Sequence, residues 1–306
     1  MEVAHARDIA TRLGLPEQGA SSHHRLWHRQ RARRTAFIFS GGGNRGAVQV
    51  GMLSALVELD FYPDMVFGSS IGALNGVAFA ADPSRKTVGD LADLWLSISK
   101  DVVLPPQRFG ATWRYAQRRT SVYPNTALES VIRDNLPLGD LADTVIPAEV
   151  VATKASTGEP RRISTGDPVK ALLASSALPG ALPPVELDGE LYIDGGVSDD
   201  IPVLRAARMG ATQIFVLLCG DTERIRSVRS RPIEAVLESF SLAKLARLRS
   251  DIAALGNEAT VTVLHSAVAQ QTAWLDFSKA SDMLTDGYRV AWDALRTGRT
   301  DGRLHV

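Results

Sequence analysis

The stretch Gly68-Ser69-Ser70-Ile71-Gly72 has the G-x-S-x-G pattern of a nucleophile elbow, in which a tight strand-to-helix turn exposes a serine hydroxyl. Upstream, Ser40-Gly41-Gly42-Gly43-Asn44-Arg45-Gly46 leaves an apolar run and offers clustered backbone N–H groups with no side chains in the way. An attacking hydroxyl and a set of N–H donors are most of an acyl-transfer site, because one forms the acyl bond and the others steady the oxyanion. Glycines also suit a tight turn or a phosphate loop, and a five-residue serine pattern recurs by chance. Their order and flanks carry the weight.

The flanks predict a βαβα unit. Thr35-Ala36-Phe37-Ile38-Phe39 and Met65-Val66-Phe67 are short continuous apolar runs, as strands covered on both faces show. Between them, Val48, Met52, Ala55, Leu56 and Leu59 recur at helical spacing, with Gln49 and Glu58 off that stripe. The order strand, glycine turn, helix, strand, serine turn, helix points both turns at one crevice beyond the strand ends. Further strands are expected at 149–153, 161–164, 191–193, 213–219 and 261–264, with helices at 74–81, 88–98, 202–209 and 233–255. The fold class is therefore α/β, mostly parallel and helix-covered. The apolar stripe of 233–255, Ile233, Val236, Leu237, Phe240, Leu245, Leu248 and Ile252, reads as core packing, with interfacial membrane contact as the alternative.

A serine hydroxyl needs a neighbouring base. Of the histidines, His5, His23, His24 and His28 lie near the N-terminus, His305 is penultimate, and His265 alone follows a strand-like run. A Ser70, Asp194, His265 order satisfies the chain order of an α/β-hydrolase triad. Asp194 is the stronger candidate. It closes Leu191-Tyr192-Ile193 and precedes Gly195-Gly196, which lets the chain bend and turn the carboxylate into the crevice, although a plain turn uses the same residues.

These stretches together resemble the patatin-like phospholipases, over roughly residues 35–295. Gly41 to Gly46 is similar to the family's oxyanion block, Gly68 to Gly72 to its nucleophile block, and Asp194-Gly195-Gly196 to the block holding its catalytic aspartate. Ala174-Ser175-Ser176-Ala177-Leu178-Pro179 with Leu182-Pro183-Pro184 is similar to a fourth, and Trp274 to Ser278 is similar to a segment of bacterial members. The resemblance implies a three-layer α/β/α fold and a Ser–Asp dyad without a catalytic histidine, Ser70 attacking and Asp194 acting as base. It further implies an oxyanion hole at Gly41, Gly42, Gly43 and Arg45, with N–H groups of Gly42 and Gly43 as donors and Arg45 holding the loop or meeting an anionic head group. Gly68 and Gly72 flank the elbow. No cofactor and no metal are implied, and the substrate is a phospholipid, lysophospholipid or other acyl ester. Ser40 stands where plant storage patatins have an acidic residue.

Composition narrows the field. The 306 residues are 45% hydrophobic and 22% charged, enough for one large core, and a formal net charge of +0 gives no reason to expect nucleic acid. The glycine loop lacks Gly-Lys-Ser/Thr, which argues against a nucleotide module. Cys219, the single cysteine, reads as a buried thiol. With no apolar run of about 18 residues and no signal-peptide core, a cytoplasmic protein is expected, with peripheral membrane contact open. The expected organisation is a basic arm at 1–34, a hydrolase domain at 35–296 and a tail at 297–306. Residues 100–124 combine Phe109, Trp113, Tyr115 and Tyr123 with Arg108, Arg114, Arg118 and Arg119, which suits either a cap over the site or a surface excursion. Residues 222–231 read as a basic, solvated linker. No feature sets an oligomeric state. A catalytically silent lipid-binding or regulatory protein on the same fold is the remaining alternative.

Overall fold

The structure, a computed structural model, describes residues 34–99, 102, 121–220, 232–274 and 276–296. The arm before Arg34, most of the expected cap, the linker and the tail lie outside the described residues. The chain runs β1 (Thr35–Phe39), a 3-10 turn (Gly43–Gly46), α1 (Ala47–Glu58), β2 (Met65–Ser69), α2 (Ile71–Ala81), α3 (Arg85–Ser97), α4 (Thr126–Asn135), β3 (Ala148–Lys154) and β4 (Pro160–Ile163). It continues with α5 (Pro168–Ser175), β5 (Val185–Leu187), β6 (Glu190–Asp194), α6 (Val203–Arg208), β7 (Gln213–Leu217), α7 (Pro232–Leu255), β8 (Thr260–Leu264), α8 (Ala267–Gln271) and α9 (Ala280–Arg296).

One mixed sheet forms the middle layer, its hydrogen-bonded path running β5-β6-β3-β2-β1-β7-β8 with β4 added to β3. The pairs β1–β2, β1–β7, β2–β3 and β7–β8 are parallel. Side chains alternate between two cores as strand geometry requires. Phe37, Phe39, Val66, Phe215 and Leu217 face one core, with α1, α2, α5 and α9. Ala36, Ile38, Phe67, Ile214 and Val216 face the other, with α6 and the C-terminal part of α7. This is the expected three-layer α/β/α arrangement. In α7, Leu245, Leu248, Ile252 and Leu255 pack on the second core, as the stripe suggested for that half.

Two differences from the sequence reading have physical causes. Gln49 is fully buried, so α1 has no solvent face; the amide donates to Ser40 O at 2.8 Å and Leu217 O at 2.9 Å, which satisfies it inside the core. Helix α5 went unassigned although its start signal is present: Asp167 accepts from Val169 N and Lys170 N, with Pro168 in the first turn. Among the described residues, no helix is long and apolar enough to cross a membrane.

Helices α1 and α9 approach closely enough for backbone to meet backbone. A Cβ on Gly51 would stand 2.1 Å from Leu284 O, and one on Gly287 would stand 2.2 Å from Val48 O. Because α1 carries the glycine turn at its N-terminus, this contact seats the loop on the sheet. Gly287→Val should lower stability by about 2–3 kcal/mol or more, read as a shift of the urea midpoint. An unchanged midpoint would show that the two helices can part at no cost.

Candidate active site

Two strands meet head to head on one edge of β3. Strand β2 pairs along its first half in parallel, ending with Ser69 opposite Val151; β6 pairs antiparallel along the second half, with Asp194 opposite Ala152. Strand β4 covers residues 150–153 of β3, so β2 and β6 share the remaining edge. The C-terminal ends of β2 and β6 therefore lie at consecutive residues of a common partner. Asp194 and the residue after Ser69 are brought together by the hydrogen-bond register itself.

Ser70 follows β2 at φ 53° and ψ −129°, a conformation costly for a residue with a Cβ. Its surroundings hold it there. Ser70 N donates to Ser175 Oγ at 2.8 Å, and Ser175 Oγ donates to Val151 O at 2.6 Å, so a side chain from α5 ties the elbow to β3. Gly72 lets the elbow helix sit against β1, since a Cβ there would be 2.2 Å from Phe39 O. Asn75 on α2 donates to Gly46 O and to Gln49 Oε1, each at 3.0 Å, and accepts from Trp95 Nε1 at 3.2 Å. These bonds tie the elbow helix to the glycine turn.

The glycine loop is held from two sides. Gly41 N donates to Asp200 Oδ1 at 2.9 Å. Within the oxyanion block the Gly41 amide is thus engaged by a carboxylate, and the expected donors remain those of Gly42 and Gly43. Arg45 takes the first of its two expected roles. Its N–H goes to Gly42 O at 3.3 Å and its guanidinium donates to Thr272 O at 3.1 Å beneath the Trp274 ring, which makes it a loop holder. Asn44 Nδ2 donates to Ala273 O at 3.0 Å and Asp276 O at 2.9 Å. Gly43 turns at φ 60°, where a Cβ would also strike Trp274 at 2.9 Å. Behind the loop, Ser40 Oγ accepts from Cys219 N at 2.9 Å, so Ser40 anchors the loop start.

Asp194 is 3% exposed and accepts from Gly196 N at 2.8 Å. Burial pushes its carboxyl up from 3.8 to about 6; the Lys244 charge, the Ser70 hydroxyl and the Gly196 amide pull it down, and Asp200 pushes it up. Ser70 and Asp194 both open on a cavity of about 230 Å³ whose walls include Leu94, Leu128, Val131, Leu172 and Phe277. Among the described residues lining that cavity there is no histidine, His265 included. Cys219 lies buried against Gly42, its thiol pushed up to about 12 by desolvation. Residues that sequence reasoning did not single out are Gln49, Asn75, Ser175 as elbow anchor, Asp200 and Lys244. The Asp199-Asp200 pair, two residues beyond Asp-Gly-Gly, was the available signal for Asp200.

With this geometry in hand, comparison with known proteins is decisive about lineage. The family model for patatin-like phospholipase matches residues 37–207, more than half of the chain. The chain belongs to the patatin-like phospholipase family. It is similar to the lysophospholipase nte1 of Aspergillus terreus, 30% identical over 206 residues, which are 65% of this chain and 13% of that protein. It is likewise similar to patatin-like phospholipase domain-containing protein 7 of Rattus norvegicus, 29% identical over 190 residues, 61% of this chain and 14% of that one. The chain thus spans a small part of the length of these relatives. The crystal structure of VipD from Legionella pneumophila shares the fold, with a TM-score of 0.50, 15% identity, and coverage of 87% of this chain and 67% of that chain. The patatin-like family match ends before α7, which nevertheless lines the cavity.

A carboxyl whose pKa is higher folded than unfolded costs nothing below the unfolded value and its full penalty above the folded one. For Asp194 the cost therefore grows between pH 3.8 and about 6 and stays above that, on the order of 3 kcal/mol. Asp194→Asn keeps an acceptor for Gly196 N–H. It should exceed the wild type in urea stability by about 1–3 kcal/mol at pH 8, and by less than half as much near pH 4.5. A gain independent of pH would mean that the carboxylate is not strained by its burial.

Proposed function

We propose that this chain is a serine lipid acyl hydrolase of the phospholipase A, lysophospholipase or esterase type, working through an acyl-enzyme on Ser70 with Asp194 as base. The observation that carries the proposal is the convergence of Ser70 and Asp194, from strand ends paired to consecutive residues of β3, on one predominantly apolar cavity. The lysophospholipase name of its relatives supports a lipid ester as substrate.

Ser70 Oγ attacks the ester carbonyl while its proton passes to Asp194. The carbonyl oxygen gains the negative charge, and the amides of Gly42 and Gly43 donate to it, a role in which one lost donor typically costs about 10²–10³ in turnover. Collapse breaks the bond to the leaving alkoxide, which takes the proton from Asp194. A water then loses its proton to Asp194 and attacks the acyl-enzyme; the second collapse returns that proton to Ser70 Oγ and releases the fatty acid. A carboxylate near 4 is a weak base, and burial makes Asp194 a stronger one. No metal enters this scheme, so hydrolysis should persist in excess chelator. Contact with a lipid surface is part of the same proposal, because the substrate class lives there.

Ser70→Ala and Asp194→Asn should each remove hydrolysis of a p-nitrophenyl ester by at least about 10³-fold, whereas His265→Ala should leave most of it. Retained turnover in Ser70→Ala, or a lethal His265→Ala, sinks the dyad. Because Asp194 must be unprotonated to accept a proton, kcat/KM should be lost as pH falls, with its half-point at about 6. A profile flat from pH 5 to pH 8 would assign the base elsewhere.

In this reading the acyl chain lies in the cavity between α3, α4 and α5. Val131, partly buried on α4, forms part of that wall. Each methylene excluded from it forfeits about 0.8 kcal/mol. Val131→Trp should therefore lower kcat/KM for a long-chain ester by about tenfold or more and for a butyrate ester by less than about twofold. Equal losses on both would place the acyl chain outside this cavity.

A further inference from the structure

Lys244 reaches from α7 over the dyad. Its ammonium stands 3.1 Å from Asp200 Oδ1, the same oxygen that accepts the Gly41 amide at 2.9 Å. It also lies 5.1 Å from the centre of the Phe240 ring. Two glycines make room for it. A Cβ on Gly41 would meet Asp200 Oδ1 at 2.8 Å, Ser70 Cβ at 3.2 Å and Lys244 Nζ at 3.4 Å. A Cβ on Gly196 would stand 2.6 Å from Lys244 Nζ and 2.9 Å from Asp194 Oδ1. One point that close to both atoms puts ammonium and carboxylate within the roughly 4–6 Å over which an opposite charge favours ionisation. The Lys244 side chain is 18% exposed and that of Asp200 4%, so solvent screens this cluster weakly.

We propose that Lys244 is a positioning residue of this site, its ammonium coupling the glycine loop, through Asp200 and Gly41, to the Asp194 carboxylate. The inference rests on the Ser70–Asp194 reading and adds a residue to it. Lys244 has two tasks. It satisfies Asp200, which otherwise would hold the loop as a bare buried charge, and it offsets the burial that favours protonated Asp194. The other charged groups nearby are committed elsewhere. Asp199 pairs with Arg162 at 2.5 Å and with Arg247 at 3.4 Å, and Arg45 is turned to Thr272 O. Asp200 acts on Asp194 with the opposite sign from Lys244.

That opposition gives a test that a plain structural ion pair fails. The acidic limb of kcat/KM is measured with p-nitrophenyl butyrate, and the rate of Ser70 labelling by a fluorophosphonate is followed over the same pH range. Lys244→Met should move both limbs up by about one pH unit, so that the loss is several-fold larger at pH 6 than at pH 9. Lys244→Arg should restore the limb to within a few tenths of a unit, and Asp200→Asn should move it down. If Lys244→Met does not fold, Lys244→Gln removes the charge while keeping a donor for Asp200, and should move the limb up. A limb that stays in place, or moves the same way in Lys244→Met and Asp200→Asn, overturns the assignment. Hydrolysis surviving Ser70→Ala overturns the dyad reading and this one together; hydrolysis lost in Ser70→Ala with an unmoved Lys244→Met limb overturns this one alone.

Discussion

Val151 and Ala152 are consecutive residues of β3, and on one edge they pair with Ser69 and Asp194. That junction sets the spacing of the site, because backbone ladders hold positions more tightly than side-chain contacts do. Gly195 is drawn so close to Val151 O, 2.1 Å from where a Cβ would be, that no other residue fits the bend. Thr153 closes the junction by donating to Asp194 O at 2.8 Å. The loops around the site trim and orient it, and the sheet determines where it is.

A junction of this kind leaves polar atoms deep inside an apolar sandwich, and each must find a partner. Gln49, Asn75 and Trp95 form one chain of such bonds, linking β1, β7, α1, α2 and α3. Ser175 forms another, between the elbow and β3. The Ser70 conformation costs about 1–3 kcal/mol, and these bonds, each worth about 1 kcal/mol net, are of the size needed to offset it. Rigidity is the functional return. In the proposed reaction, Ser70 off its strained conformer would swing away from the carboxylate.

What the sequence disclosed follows from how local each signal is. The apolar runs of β1, β2, β7 and β8 announce themselves because both faces of a central parallel strand are buried. The glycine and serine turns are contiguous, so their chemistry is readable in a few residues. Strand β5 is three residues with no buried side chain, and nothing in its composition marks it. Gln49 looks polar in sequence and is buried because partners 9 and 168 residues away supply its acceptors. Asp200 and Lys244 are likewise defined by a contact between distant segments, which no local period encodes. Gly41 shows the same limit from the other side: its type suits an oxyanion donor, and only the position of Asp200 reveals that its amide is taken.

In the proposed mechanism, an aspartate acting as base must meet two demands. It must hold a proton well enough to draw it from a serine, and it must be unprotonated at working pH. A solvated carboxylate meets only the second demand. Burial alone would satisfy the first and, carried far enough, defeat the second, since a fully desolvated carboxyl stays neutral. With its carboxyl at about 6, Asp194 sits between these failures. The position is a balance of opposed contributions: desolvation and Asp200 on one side, Lys244, the Ser70 hydroxyl and the Gly196 amide on the other. A histidine reaches the same range unaided. In this fold the range belongs to the environment, and the residues that tune it sit on three separate segments, the turn after β2, the turn after β6 and the distant helix α7. The ionisation of Asp194, on which the proposed reaction depends, is therefore a property of the assembled tertiary structure.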